Sequence, residues 1–486
     1  MLLTTLSAAP AAAAAVASAV RSRVAATAAT ATRTLIPLDI AIVGAGVSGA
    51  ALACALGNSP ILSSHSIALI DAGTLDPTSA LYRPDPGHFS NRVVSLAPRS
   101  VQFLQSLGAW DKLPADRKHP YSSMKVWDAC DNGSASFYSS AVGADAIAHM
   151  VEIPALRSAL VESLPSTVER IAPASLAPPF ARAAESTDNY PILPLADGSA
   201  ITARLVIAAD GAGSLIRTHL MPSVPFFGHD YNAAAIVATM HIEPTDKALA
   251  NSTAWQRFLP TGPIAMLPLA PNVSSLVWSM PRECASALLA NTSADEFAAL
   301  VNAAFFYPPD ELEMLMRDPR AWGDDLIGAL EWRDGVHEAA VDLDTAILPP
   351  YVTGIDPTSR AAFPLRVRHA LEYTGDRVAL LGDAAHVIHP LAGQGLNLGL
   401  ADAECLASVL SEAAAEGADI GHPHVLERYP SKRYAANAAM LSACDGLHYL
   451  FGTDSRVVAW TRSAGLNTFD GWQWVKRRAM QFAMGK

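Results

Sequence analysis

Cysteine is scarce in this chain. Five residues in 486, Cys54, Cys130, Cys284, Cys405 and Cys444, show neither the spacing of a metal knuckle nor that of a disulfide framework. Reduced, mostly buried thiols are expected, consistent with a cytosolic or matrix compartment. Positive charge is also in short supply: 34 Lys and Arg stand against 46 Asp and Glu, a net charge of -12. That balance argues against nucleic acid as a partner and fits an acidic protein that meets a basic face on another. No internal repeat with a period of roughly 20–50 residues is visible, which sets aside solenoids and propellers. No segment reads as a transmembrane helix: the run Ala8 to Val20 is too short and too rich in alanine to span a bilayer.

Acid is absent from residues 1–37, which hold Arg21, Arg23 and Arg33 among Ala, Ser and Thr. This is the composition of a transit peptide. A secretory signal would place its charge ahead of the apolar run, whereas here the arginines follow it. Import into mitochondria is expected, with the chloroplast as the alternative. Beyond this leader, 51% hydrophobic and 16% charged residues suffice for a large core, expected as two intertwined domains plus extensions.

Three glycine-containing turns carry the chemistry. Asp39 to Leu56, DIAIVGAGVSGAALACAL, reads as an apolar strand, a GAGVSG turn and an alanine-rich helix. In that context Gly44 permits the tight turn, Gly46 lets backbone approach a pyrophosphate, and Gly49 lets helix pack on strand. A second strand, Ile67 to Ile70, ends at Asp71, at the offset of a carboxylate that holds a ribose hydroxyl. Arg204 to Arg217, RLVIAADGAGSLIR, repeats the logic, with an apolar strand running into Asp210-Gly211. Asp376 to Asp402, DRVALLGDAAHVIHPLAGQGLNLGLAD, gives an apolar strand stopped by Gly382-Asp383. A loop of Pro390, Gly393, Gln394 and Gly395 follows, and a helix starts at about Leu396. A helix N-terminus there would attract the negative charge of a reduced flavin. Pro390, Gln394 and Asn397 are candidates for the flavin side of this loop, or shape the loop only. His386 and His389 lack a third ligand at metal spacing and read as structural.

Taken in this order, the three motifs resemble the FAD-dependent aromatic hydroxylases of the p-hydroxybenzoate hydroxylase type. The resemblance implies a Rossmann-like α/β FAD-binding domain interleaved with an antiparallel-sheet substrate domain. It places the ADP part of FAD at Gly44, Gly46 and Gly49, the ribityl chain at Gly382 and Asp383, and Asp210-Gly211 near FAD and the electron-donor approach. It also gives Arg92, in SNRVVSLAPRSV, as an arginine at the flavin. The segments 91–110, 120–129, 254–269, 274–279 and 363–370 are similar to one branch of that group, the mitochondrial ubiquinone-biosynthesis monooxygenases of the Coq6 type. In that branch Glu152-Ile153 departs from a common Glu-Asn pair, and the alanine-rich stretch 172–188 has no counterpart.

Placed on the sequence, the FAD domain is expected at 38–119, 141–222 and 366–430. The substrate domain is expected at 120–140 and 223–365, where β-rich runs such as 234–242 and 274–280 lie between Pro and Gly. A C-terminal helical extension is expected at 431–486. The resemblance implies hydroxylation at C5 of a polyprenylated 4-hydroxybenzoate-type ring, through a flavin C4a-hydroperoxide made with dioxygen. Electrons would come from a ferredoxin and its reductase, or from NADPH. Only one GxGxxG is present, so no second dinucleotide site is evident. Other ubiquinone-biosynthesis proteins are implied as partners, and the place implied is the matrix side of the inner mitochondrial membrane, peripherally attached. The aromatic and basic C-terminus (Trp460, Trp472, Trp474, Lys476, Arg477, Arg478, Phe482, Lys486) is either an interfacial segment or an aromatic helix packed on the core. Two other readings remain: an NADPH-dependent hydroxylase of a small soluble phenol, and a non-catalytic scaffold that kept the fold.

Overall fold

The computed structural model describes residues 34–76, 88–182, 189–243, 251–317, 348–390, 393–452 and 456–485, together with residues 328 and 330. The leader as far as residue 33, part of the stretch 172–188, and Lys486 lie outside the described residues.

In chain order the N-terminal part holds β1 (Leu35–Val43), α1 (Val47–Gly57), β2 (Ile67–Ile70), β3 (Val93–Leu96), α2 (Pro98–Ser106), β4 (Lys118–Tyr121), β5 (Ser123–Asp128) and β6 (Ser134–Tyr138). There follow β7 (Ala148–Glu152), α3 (Ile153–Glu162), β8 (Val168–Ile171), β9 (Ala181–Arg182), β10 (Pro191–Pro194), β11 (Ala200–Ala208) and α4 (Leu215–Leu220). The middle contains β12 (Phe226–Ile242), β13 (Thr253–Leu259), β14 (Gly262–Ala270), β15 (Val273–Pro281), α5 (Arg282–Asn291), α6 (Ala294–Phe306), α7 (Pro309–Arg317), β16 (Val352–Ile355) and β17 (Ala361–Ala370). Last come β18 (Thr374–Gly375), β19 (Val378–Leu380), β20 (His386–Val387), α8 (Gly395–Ala415), α9 (Pro423–Leu426), α10 (Arg428–Phe451), α11 (Arg456–Gly471) and α12 (Gln473–Ala483).

One sheet has the order β18-β19-β11-β1-β2-β8, and β19, β11, β1, β2 and β8 all run parallel. Its central strands are apolar without alternation because both faces are covered. Ile40 to Ile42, Leu205 to Ala208 and Val378 to Leu380 are all buried. Helix α1 packs on one face beside α8 and α3. Its alanines allow that close approach, and Leu52 and Leu56, fully buried, contribute about 1.5–3 kcal/mol each.

The second sheet follows β20-β17-β12-β15-β14-β13-β5-β6, with β16 on β12. It is antiparallel except that β5 runs parallel to β13. The chain leaves this sheet after β6 and returns to it at β12, so β5 arrives from the FAD-side domain rather than by a hairpin with β13. Helices α5 to α7 cover one face around the buried Trp278, Phe297 and Tyr307. A small sheet, β3-β7-β4, joins the two bodies.

Two expected boundaries shift. β1 begins at Leu35, inside the expected leader of residues 1–37, because Leu35 to Leu38 already pair with Ala200 to Ala203. The expected start of the third FAD piece at 366 falls within β17, which pairs with β12 from Ala361 to Ala370. No glycine or turn sequence interrupts that strand, so pairing carries it past the expected edge.

The C-terminal helices are tied to both bodies. Arg462 of α11 forms a buried ion pair with Asp128 of β5, with 2.9 Å between Nη2 and Oδ1. Asn467 Oδ1 accepts from Ser134 N (3.0 Å) and Asp470 Oδ1 from Ser136 N (2.9 Å), which caps the open edge of β6. Beyond α12, Met484 is buried, and Gly485 sits against Arg99 of α2.

Candidate active site

The three glycine turns lie at the carboxyl ends of neighbouring parallel strands, β1, β11 and β19, with Asp71 at the end of β2. Backbone bonds lace them together: Gly44 N to Ile70 O (2.8 Å), Ala209 N to Val43 O (2.8 Å) and Leu381 N to Ala208 O (2.9 Å). Ligands of open α/β sheets bind at this edge.

Within the first turn each glycine meets a different constraint. Gly44 has φ +104°, and a Cβ there would lie 2.3 Å from Ala209 O. A Cβ at Gly49 would lie 2.0 Å from Gly44 O, so helix packing requires the glycine. At Gly46, which is exposed, a Cβ would meet nothing within 4 Å. The bare surface at Gly46 opens the N-terminus of α1 to the cleft, and no side chain caps that helix. Asp71 Oδ2 accepts from Ala45 N at 2.7 Å and Oδ1 from Gly73 N at 2.8 Å. Arg157 of α3 closes the corner, with Nε to Ala45 O at 2.6 Å and Nη2 to Asp71 Oδ1 at 3.3 Å.

In the second turn, Asp210 Oδ2 accepts from Leu215 N (2.7 Å) and Ile216 N (3.3 Å) at the start of α4. Its Oδ1 is buried and has no hydrogen-bond partner among the described residues. Gly211 has φ +81° and open space where a Cβ would stand. Arg217 ties this turn to the third, donating to Ala212 O and Ala384 O at 2.8 Å each.

In the third, Gly382 has φ +58° and lies against Ser48 and Gly399, so the turn touches both α1 and α8. Asp383 is exposed in the cleft, yet protein crowds it enough that desolvation pushes its carboxyl above the ordinary value, with His386 opposing. Gly393 (φ +58°) donates to Pro390 O at 2.9 Å, and Gln394 forms the N-cap of α8 without a side-chain cap. The first N–H groups of α8, on Gly395, Leu396 and Asn397, have no acceptor within the helix. The Asn397 side chain is committed to the protein. Its Oδ1 accepts from Ala97 N (2.9 Å) and Ser100 Oγ (2.7 Å), and its Nδ2 donates to Ser95 O (2.8 Å). The side chain thus ties the start of α8 to β3 and α2.

His386 and His389 are both buried. His386 Nε2 lies 2.6 Å from Asp402 Oδ2, and Asp402 Oδ1 accepts from Arg433 Nε (2.7 Å) and Asn437 Nδ2 (3.0 Å). Burial opposes ionisation of Asp402, but His386 and Arg433 outweigh it and hold the carboxyl below its usual range. This network fastens the loop after Gly382 to α8 and α10. Arg92 is exposed just ahead of β3, and its carbonyl accepts from Ile153 N (2.8 Å). Its segment is braced by a buried ion pair, Arg117 Nη1 to Glu152 Oε2 at 2.9 Å.

The residues present fit FAD. Two uncapped helix N-termini without acid in their first turns, an orphaned buried carboxylate oxygen and a bare Gly46 form one cleft. The roles of Arg157, Arg217 and Arg117, and the pairing of Glu152 with Arg117, leave no mark in the local sequence pattern. Arg157 acts on Asp71 across 86 positions, and no local pattern marks such a partner.

The comparisons agree with this geometry. A family model described as FAD binding domain matches residues 331–443. Among solved structures, PqsL from Pseudomonas aeruginosa, a probable FAD-dependent monooxygenase, superposes with a TM-score of 0.62 at 22% identity, covering 89% of this chain and 100% of that one. The p-nitrophenol 4-monooxygenase PnpA from Pseudomonas putida gives 0.63 at 18%, covering 92% and 97%. At these identities the likeness concerns the fold. Fold and glycine turns together define an FAD-binding protein with the fold of these structures. The curated relative from Xenopus tropicalis, ubiquinone biosynthesis monooxygenase COQ6, is 39% identical over 455 residues, 92% of this chain and 93% of the relative. Those from Homo sapiens and Saccharomyces cerevisiae are 35% and 36% identical over 456 and 443 residues, covering 92% and 88% of this chain and 92% and 90% of the relatives. The chain belongs to the COQ6 family.

Proposed function

We propose that the protein hydroxylates the aromatic ring of a polyprenylated 4-hydroxybenzoate-type intermediate, at C5, in mitochondrial ubiquinone biosynthesis. What supports this reading is the COQ6 relationship along nearly the whole chain, joined to a cleft in which Gly46 and Gly211 leave open backbone. Bound FAD, once reduced, would supply the electrons for dioxygen to be divided between a new ring hydroxyl and water.

The chain's own residues bind, orient and shield. The N-terminus of α1 at Gly46 receives pyrophosphate, and Asp71, held by Ala45 N–H and Arg157, offers carboxylate to a ribose hydroxyl. Asp210 directs its orphaned oxygen and Asp383 its cleft-facing carboxyl to hydroxyls of the cofactor chain. The N–H groups of Gly395, Leu396 and Asn397 give positive polarity to the flavin edge, and Pro390, Gly393 and Gln394 set the loop that presents them. Arg92 stands at the flavin end of the cleft. The second sheet roofs the site and keeps water from the reacting ring. The enzyme attaches peripherally to the matrix face of the inner membrane and works beside other proteins of the pathway. Electrons arrive from a ferredoxin and its reductase. Anaerobic reduction separates the donors: slow bleaching with NADPH and rapid bleaching with ferredoxin plus reductase is the expected result, and rapid bleaching with NADPH alone overturns it. Product analysis on prenylated and unprenylated phenols tests the substrate. Hydroxylation of the unprenylated phenol in preference would favour the small-phenol reading.

A further inference from the structure

The last two helices present a face that the fold does not use. Residues 456–486 carry six Lys and Arg against one acid, Asp470, in a chain whose total charge is -12. Two of the six are spent inside: Arg462 on Asp128 and Lys476 on Asp470 (2.9 Å). Arg477 and Arg478 are exposed, and neither has a carboxylate at ion-pair distance among the described residues. On α12 and its C-cap the positions Lys476, Met480 and Met484 are buried, while Trp474, Arg478 and Phe482, at the same i, i+4, i+8 spacing, are exposed. Trp460, Trp472 and Trp474 are 66%, 56% and 72% exposed, more than single surface hydrophobics account for.

We infer that this aromatic and basic face of α11 and α12 is a docking surface for a bilayer rich in anionic phospholipid. Charge complementarity selects that occupant. The rest of the molecule is strongly acidic and is repelled by negative lipid, so approach requires a locally cationic face, and this segment concentrates the surplus. Indole rings beside arginines seat at the headgroup level, with the ring in the interface and the guanidinium on phosphate. Among the described residues no helix is long and apolar enough to cross a membrane, so the helices lie on the surface. Their position is fixed by the Asp128–Arg462 pair and the β6 edge caps, which makes the face rigid rather than a trailing tail. The inference rests on the reading of peripheral attachment made above and assigns it to particular residues.

Co-sedimentation of the full-length, FAD-loaded protein with phosphatidylcholine vesicles, with and without phosphatidylglycerol, tests it. The wild type is expected to sediment with the anionic vesicles, to be released by salt, and to remain in solution with phosphatidylcholine alone. The pair Arg477→Gln/Arg478→Gln is expected to lower the partition coefficient by on the order of tenfold. The pair Trp472→Ser/Trp474→Ser is expected to lose binding at low salt as well, with flavin absorbance and melting temperature as in the wild type. Sedimentation of both pairs at the wild-type level, with the wild type bound, overturns this face while leaving peripheral attachment standing. A wild type that stays in solution with every vesicle overturns peripheral attachment and leaves an acidic protein as the occupant of the face.

Discussion

At the scale of single residues, the three glycines of the first turn separate folding from binding. Gly44→Ala sets a Cβ 2.3 Å from Ala209 O at φ +104°, and Gly49→Ala sets one 2.0 Å from Gly44 O; neither neighbour is a side chain that can swing away. Both variants are expected to lose stability by more than about 3 kcal/mol and to accumulate as unfolded material. Gly46→Ala meets nothing within 4 Å. It should melt within a few degrees of the wild type when both are compared as apoprotein, yet bind FAD at least about tenfold more weakly, because its methyl group stands where the pyrophosphate belongs. Thermal melts and flavin titrations of the three variants check this. Equal melting of all three would refute it. Asp383→Ala is expected to release flavin without unfolding the chain, since this carboxylate lies in the cleft and has no hydrogen bond or ion pair among the described residues; retention of FAD would remove Asp383 from the site. The glycines and acids of these turns were legible in the sequence because each acts through its own backbone and a few neighbours. Arg157 and Arg217 were not, because their roles exist only once α3 and α4 are folded over turns that lie far away in sequence.

At the scale of the element, two buried histidines, His389 in the loop after Gly382 and His369 in β17, sit where the fold resists their protonation. Burial pushes His389 down to about 4, with His448 adding to it, and burial with His386 does the same to His369, against an ordinary value of 6.5. Between these values the unfolded chain takes up protons that the folded chain refuses. Stability contributed by the neutral imidazoles is therefore fully present above pH 6.5 and declines as pH falls toward 4, by at most about 1.4 kcal/mol per pH unit for each histidine. Urea unfolding at pH 5 and at pH 7 is expected to show the loss, and His389→Asn should remove one histidine's share of the slope. A midpoint independent of pH over this range would contradict the assignment. The sequence marked His386 and His389 as structural on the absence of a metal pattern. It did not show the network that holds His386, Asp402 with Arg433 and Asn437, because those partners come from two helices further along the chain.

At the scale of the whole molecule, the C-terminal helices decide whether the second sheet has an open edge. β6 is the last strand of its sheet, and its outward N–H groups at Ser134 and Ser136 are satisfied by the side chains of Asn467 and Asp470 rather than by another strand. An edge left uncapped is a template for pairing with a second copy. The composition of 431–486 showed helices, aromatics and basic residues, but their registration against β6 depends on Arg462 reaching Asp128, 334 positions away, which no local pattern encodes. Two substitutions distinguish anchor from cap. Arg462→Met leaves Asp128 buried without its cation and is expected to cost about 3–5 kcal/mol, with α11 released and the FAD cleft intact. Asn467→Ala/Asp470→Ala keeps the anchor and removes the caps, and with them the carboxylate partner of Lys476, whose ammonium keeps Asp470 O at 3.4 Å. Each uncovered N–H can turn to water, so the stability loss should be small, on the order of 1–2 kcal/mol. The larger expected effect is association. Light scattering should show mass rising with concentration for the cap variant and not for the wild type, while flavin content remains equal. A cap variant that stays monomeric would mean that the bulk of α11 and α12, rather than these two side chains, shields the edge. Deletion of the two helices should then produce the association that the double substitution did not.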